Sequence, residues 1–297
     1  MKPQEHGVPP TGFVSPATPA RFQPVRDPGP RLTRPANRIA AFAKGVNKTF
    51  VMAGLELRKL RHDPTELVTR AVQPALWLLI FGQVFTRVRA IPTGELRYLD
   101  FMTPGILAQS VLFIAIFHGI AIIWERDLGI LHKFLASPTP RASLVVGKAL
   151  SAGVRGAIQG IFIYLLALLL GVRFNWNPLA LIGVLATIIL GAAFFAVLSL
   201  IIACVVKTRE RFMGMGQVLT MPLFFASNAI YPIAIMPQWL QIVSRINPLT
   251  YEVDALRGLM IAGGVSTMGL PLDFAVLLGG TTIAVIIGAR MYPKVVM

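Results

Sequence analysis

The sequence predicts an all-α integral membrane protein. Six transmembrane helices follow an N-terminal amphipathic interfacial helix, and a short extracellular re-entrant helical hairpin precedes the last span. Three observations lead there. The 297 residues are 55% hydrophobic and 14% charged, with a mean hydropathy of +0.68, a balance that one soluble core cannot absorb. Six apolar stretches, about 67–84, 101–124, 150–172, 179–206, 215–235 and 272–289, have the character of spans. A helix needs roughly 20 apolar residues to cross a hydrocarbon layer in which each backbone N–H and C=O must be satisfied internally. The third observation is the charge distribution. With the amino terminus inside, only Arg87, Arg89, Arg97, Arg173, Arg245 and Arg257 fall outside and Arg155 falls within a span, so the other 21 of 28 Lys and Arg residues face the cytoplasm. Both termini are therefore expected to be cytoplasmic, in a multi-pass protein of the cell's inner (plasma) membrane. The net charge of +15 reflects this asymmetry and attraction to anionic lipid rather than nucleic-acid binding.

Taken in order, residues 1–37 mix nine prolines with Gly and Arg and show no apolar period, so they read as a disordered cytoplasmic tail. The tail has no apolar core like that of a cleavable signal, and insertion is expected to rely on the first span. From 38 to 62, Ile39, Phe42, Val46, Phe50, Ala53, Leu57 and Leu60 recur at steps of three and four opposite Lys44, Lys48, Arg58 and Lys59. That is the pattern of a helix lying in the inner interface. Asp63-Pro64 ends it, since the residue before proline avoids helical geometry, and Thr65 with Glu66 can open the first span. The domain 38–297 thus forms one membrane unit.

Between the second and third spans, segment 125–141 is charged and amphipathic. Leu128, Ile130, Leu131, Phe134 and Leu135 share one sector of a helix, while Glu125, Arg126, His132 and Lys133 fall mainly opposite. Pro138-Thr139-Pro140 stops it and stiffens the return. Two spans could be joined with less, so the segment reads as a docking element, with a surface helix capping the bundle as the plainer alternative. The outer hairpin is expected at 237–264. Pro232 and Pro237 bracket Ile233 to Met236, and Trp239, Ile242, Val243 and Ile246 then make an apolar stripe ending at Asn247-Pro248. A second short helix is expected to start with Thr250 as N-cap, helped by Glu252 and Asp254, and to end near Gly263-Gly264. Backbone of this kind is tolerated at membrane depth only when covered by protein or lining a wet cavity.

Several chemistries find no support. No Gly-x4-Gly-Lys-[Ser/Thr] loop occurs, because Gly147-Lys148-Ala149 lacks both the hydroxyl residue and the earlier glycine. An ion-coupled carrier needs titratable groups inside the spans, which offer His118 and Arg155 and no clear carboxylate near mid-membrane. Each of these two residues suits packing as well as substrate contact. His-Glu-x-x-His and Gly-x-Ser-x-Gly are absent, as is any repeated filter pattern, which argues against an intramembrane enzyme and a channel. Cys204 is the single cysteine, so no internal disulfide is available, and neither a metal site nor catalytic residues are expected. The best pathway candidates are Phe224, Phe225, Ser227, Asn228 and Tyr231, aromatic faces and a small polar group ahead of a proline.

The order of spans, the entry helix, the Glu125-Arg126-Asp127-Leu128-Gly129 to Pro138-Thr139-Pro140-Arg141 segment, Ser227-Asn228-Ala229-Ile230-Tyr231-Pro232 and the stretch from Asn247-Pro248-Leu249-Thr250-Tyr251-Glu252 to Arg257 together resemble the ABC-2 permeases of ATP-binding-cassette exporters. The daunorubicin-resistance and nodulation-export type is the nearest in flavour, over roughly residues 38 to 292. The resemblance implies a machine of two permeases, as a homodimer or with a paralogue, and two ATPase subunits that hold ATP and Mg, this chain having no cofactor of its own. It makes 125–141 the coupling segment, with Glu125, Arg126, Asp127, Leu128, Gly129, Leu131, Phe134 and Leu135 against the ATPase. It also gives Trp239, Asn247, Pro248, Tyr251, Asp254 and Arg257 to the outer hairpin. The expected cargo is an amphipathic small molecule, drug or lipid-like solute moving outward, with a polysaccharide or lipid-linked glycan as the alternative and an ion-coupled carrier as the rival from another class.

Overall fold

The computed structural model describes residues 69, 72–88, 91–128, 141–206 and 208–292. The tail 1–37, the interfacial helix 38–62 and the docking segment from Gly129 to Pro140, including Leu131, Phe134 and Leu135, lie outside the described residues. Among those described, every regular element is helical, and Phe174 with Ile261 forms an isolated bridge.

Helix α1 (Val72–Val88) contains a π turn over Trp77–Gly82. It packs with one narrow face, burying Leu78 and Gly82, while Leu79, Ile80 and Val84 face outward. Trp77, Phe81 and Phe85 stack along it at 4.5 and 6.2 Å, four residues apart, as helical spacing dictates. Helix α2 (Tyr98–Asp127) is the axis of the bundle, buried along most of its 30 residues. It continues through Glu125, Arg126 and Asp127, so the start expected for the separate docking segment is instead the last turn of α2. Helix α3 (Arg141–Leu169) returns antiparallel, and α4 (Pro178–Val205) follows, capped by Asn177, whose Oδ1 accepts from Leu179 N–H at 2.9 Å with Pro178 in the first turn. Helices α2, α3, α4 and the last helix, α8 (Leu270–Met291), are long and apolar enough to cross a membrane.

The fifth apolar stretch differs most from its expectation. Helix α5 runs Arg209–Phe225, starting at the N-cap Thr208 and ending well before residue 235. Pro222 withdraws an N–H from its last turn, and Ala226 N–H closes back on Pro222 O at 2.8 Å. Residues 226–232 are irregular although apolar, so hydropathy alone carried the expected span too far. Two short helices follow, α6 (Gln238–Ile246) and α7 (Pro248–Met260).

The two ends of the bundle are marked by polar ties. At the Asp127 end, Lys148 bonds Glu125 at 2.6 Å, and Arg209 bonds Asp127 at 2.9 Å while lying 3.6 Å over the Trp124 ring. At the Tyr98 end, Arg97 bonds Asp100 at 2.9 Å and Ala262 N–H reaches Arg173 O at 2.9 Å. The main core joins α1, α2, α3, α4 and α7 around Met102, Ile106, Leu112, Phe195 and Leu256, and a second core near the Asp127 end gathers Ile122, Val145, Leu200 and Tyr292. The outer surface is apolar: Leu169 is 85% exposed, Leu179 76% and Val218 73%. A surface of that kind is at home in hydrocarbon and would aggregate in water.

Candidate functional site

The polar residues expected to matter in the second half of the chain converge on one buried knot. Its foundation is Asn247. The side-chain Oδ1 accepts from Leu249 N–H at 3.0 Å and so caps α7, while Nδ2 donates to Leu223 O at 2.7 Å and Ala226 O at 3.3 Å. One side chain thereby starts α7 and satisfies carbonyls at the end of α5 that the helix itself leaves open. The cap falls at Asn247 rather than at the expected Thr250, because Pro248 suits the first helical position and Thr250 instead shares a 3.2 Å hydrogen bond with Ser244. Helix α7 then rises from the middle of the bundle to the Tyr98 end, where Met260 O accepts from Asn175 N–H at 2.9 Å.

About two turns above the cap, Asp254 is fully buried. Its Oδ1 accepts from Asn228 Nδ2 at 3.3 Å, and its Oδ2 accepts from Ser266 Oγ at 3.0 Å and Met268 N–H at 2.8 Å. The Arg257 Nη1 lies 4.0 Å from Asp254 Oδ1, and its Nη2 donates to Asn228 O at 2.7 Å. The guanidinium also lies 3.9 Å from the Phe101 ring centre, with Phe101 O at 3.4 Å. Four pieces of chain that hydropathy treats separately are thus tied together: α2, the segment after α5, α7, and the loop that leads into α8. The approach of residue 229 to α2 depends on Gly105, where a Cβ would collide with the Ala229 backbone. Buried charges of this kind hold only when paired and hydrogen-bonded.

The pathway candidates separate into two groups. Phe224, Ser227 and Asn228 are buried within the chain; Phe224 meets Trp77 at 5.9 Å, edge to face, and Ser227 Oγ donates to Phe224 O at 2.7 Å. Phe225 is exposed, and Tyr231 donates to Phe225 O at 2.6 Å. Trp239 is 66% exposed and Ile246 76%, so α6 turns an apolar face outward, whereas Tyr251 of α7 donates to Arg245 O at 2.6 Å. Of the docking residues, Glu125, Arg126, Asp127 and Leu128 are described; Asp127 binds both Arg126 and Arg209, and Leu128 is exposed. Arg97, just ahead of α2, is held more firmly protonated by its bond to Asp100.

Sequence reasoning passed over Ser266 and Asp273, which extend the knot through a 2.9 Å hydrogen bond, and over the carboxyl of Glu252. Glu252 is fully buried, and among the described residues neither oxygen has a hydrogen-bond partner; it presses on Gly191 of α4, where a Cβ would collide with it. An acidic residue two positions from Asp254 in a short helix looked like a first-turn charge. Only the packing reveals that it faces the interior.

Comparison with known proteins places this architecture. Residues 47–261 match the ABC-2 type transporter family. A putative transport permease of Cyanophora paradoxa is 31% identical over 216 residues, covering 71% of this chain and 73% of the relative. A daunorubicin resistance ABC transporter permease protein of Streptomyces coeruleorubidus is 26% identical over 230 residues, 77% of this chain and 81% of the relative. Nodulation protein J of Rhizobium meliloti is 26% identical over 175 residues, 58% and 66% respectively. The matched region takes in α2, the post-α5 segment and α7 with its Asn247 cap and Arg257 tie, and the chain belongs to the ABC-2 type transporter family.

Proposed function

We propose that the chain is the permease subunit of an ATP-binding-cassette exporter, driven by a separate ATPase subunit that holds ATP and Mg. In this reading α1 and α5 join the four long helices as spans, and α6 and α7 form the re-entrant outer hairpin. The Tyr98 end faces outward and both termini face the cytoplasm of the plasma membrane. The chain works as a homodimer or beside a paralogue. The segment 125–141 couples it to the ATPase, and an amphipathic small molecule, drug or lipid-like solute leaves the cell.

The observation that carries the reading is the family membership combined with the absence of a phosphate loop in the sequence. Relatives named for daunorubicin resistance and doxorubicin resistance support a drug-like cargo, and a polysaccharide or lipid-linked glycan is the alternative. The test is co-expression with a candidate ATP-binding-cassette ATPase subunit, followed by reconstitution into vesicles. ATP-dependent uptake by inside-out vesicles, lost when the ATPase is inactivated, is the expected result. Uphill uptake driven by a pH or sodium difference with no ATPase present overturns it. One observation favours that second, ion-coupled reading: Glu252 is a buried carboxyl without a hydrogen-bond partner on the hairpin helix, and intramembrane carboxyls of this kind mark proton paths elsewhere.

A further inference from the structure

A cavity of about 670 Å³ opens among α1, α2 and α3, on the other half of the bundle from the hairpin knot. Its lining runs along α2 from Gln109 to Glu125, a rise of about 24 Å, from the middle of the bundle to the Asp127 end. The deep part is polar. Gln159 of α3 is fully buried with neither side-chain amide atom hydrogen-bonded, and Gln109 of α2 is 2% exposed with its Oε1 likewise without a partner. Each amide carries two donor hydrogens and a two-lone-pair acceptor, and leaving such groups bare in an apolar interior is costly. Among the described residues no group pairs with these atoms. The walls are aromatic and aliphatic: Phe113 and Phe117 stack at 6.1 Å with their planes 20° apart, and Trp124 stands at the mouth. His118 and Arg155, which the sequence offers as two separate residues inside spans, line this same space.

We infer that this cavity is a cargo-binding site for an aromatic amphiphile. Its planar body lies along Phe113 and Phe117, and its hydroxyl or carbonyl groups pair with Gln109 and Gln159. The inference rests on the exporter reading and gives it a cargo class. The volume suits a drug-sized molecule and not a polymer, since ligand pockets of roughly 300–1,000 Å³ enclose most of such a ligand's surface. The amides fix the polar part because they both donate and accept, which a quinone bearing hydroxyl groups answers and a plain hydrocarbon does not. A mouth at the Asp127 end admits solute from the leaflet on the side of the coupling segment, as outward transport requires.

The test uses the permease with its ATPase in lipid nanodiscs, without ATP, and two probes of the same three-ring body: 1,8-dihydroxyanthraquinone and anthracene. Each affinity is corrected for partition into empty nanodiscs. The wild-type complex is expected to prefer the dihydroxyanthraquinone at least tenfold, and Gln109→Leu combined with Gln159→Leu is expected to erase the preference while the thermal midpoint holds or rises. A structural role for the amides predicts the reverse, an undiminished preference with a lowered midpoint. Should the leucine variant fail to accumulate, Gln159→Asn, which keeps the amide but withdraws it by one methylene, reads the same preference. Equal affinity of the wild type for both probes, or a preference that survives the substitutions, overturns the inference and leaves the amides to buried water. Because binding is read without ATP, a complex that binds as expected yet transports nothing counts against the exporter reading and not against the cavity.

Discussion

The tie between Asp254 and Arg257 makes a quantitative demand. In Asp254→Asn the shape is kept, but the charge facing Arg257 Nη1 at 4.0 Å disappears, and one of the three donors now bonded to the carboxylate meets an N–H instead of an oxygen. A unit-charge pair at that separation amounts to about 4 kcal/mol at an effective dielectric near 20, and a hydrogen bond to a charged group to about 1.5–3 kcal/mol. Desolvation offsets part of this, so the net loss should fall near 4 kcal/mol, in line with the roughly 3–5 kcal/mol typical of stripping one partner from a buried pair. Arg257→Met should come out somewhat lower, about 3 kcal/mol, because Asp254 keeps three donors although the charge contact, the bonds to Asn228 O and Phe101 O and the ring contact are lost. The double variant removes both charges together. It is expected to lose about 5 kcal/mol rather than the sum, a coupling of about 2 kcal/mol. Unfolding in mixed micelles titrated with a denaturing detergent, followed by tryptophan fluorescence, measures all four corners. Additivity within about 0.5 kcal/mol, or a single loss below about 1 kcal/mol, refutes the assignment of these residues as the clamp of the hairpin.

Three further outcomes are expected. Asn247→Ala removes the cap of α7 and two bonds to the end of α5, and should cost about 2–3 kcal/mol in the same assay; a loss under about 0.5 kcal/mol contradicts the role given to it. Gly191→Ala drives a methyl into the Glu252 carboxyl and should destabilise by about 1–3 kcal/mol, whereas the pairing of Gly191→Ala with Glu252→Ala should recover most of that loss, and no recovery would place the strain elsewhere. Replacing Leu131 and Phe134 together with Asp should abolish co-purification of the ATPase while membrane insertion persists; unchanged co-purification would remove the docking role from this segment.

How much of this was legible follows from which interactions leave a mark in sequence. The long apolar helices are plain because lipid imposes length and composition directly, and 179–206 was expected where α4 runs 178–205. The end of α5 was missed because Phe224 to Ile235 is apolar whether helical or not, and hydropathy does not register that Pro222 and the bonds from Asn247 end the helix at Phe225. Asn228 was singled out as a pathway candidate and Asp254 and Arg257 as parts of the outer hairpin, yet their convergence is a tertiary fact that no spacing reveals. The knot joins Phe101, Asn228 and Arg257 across long separations in the chain. Gln109 and Gln159 gave no signal at all: a glutamine in a span is usually satisfied by a neighbouring helix, and only packing shows that these are not.

Helix α2 is unbroken from Tyr98 to Asp127, about 45 Å long, with the Arg257 clamp near one tip and the Glu125 and Asp127 ion pairs at the other. A rod anchored in this way turns a small push into a large sweep: rocking it by about 5° about one tip carries the opposite tip through about 4 Å, more than the length of a hydrogen bond. No chain of side-chain rearrangements is then needed between the two faces of the membrane. Under the proposed docking, a nudge delivered at the acidic foot of the rod would arrive at its head as a shift wide enough to unseat Phe101 from beneath the guanidinium.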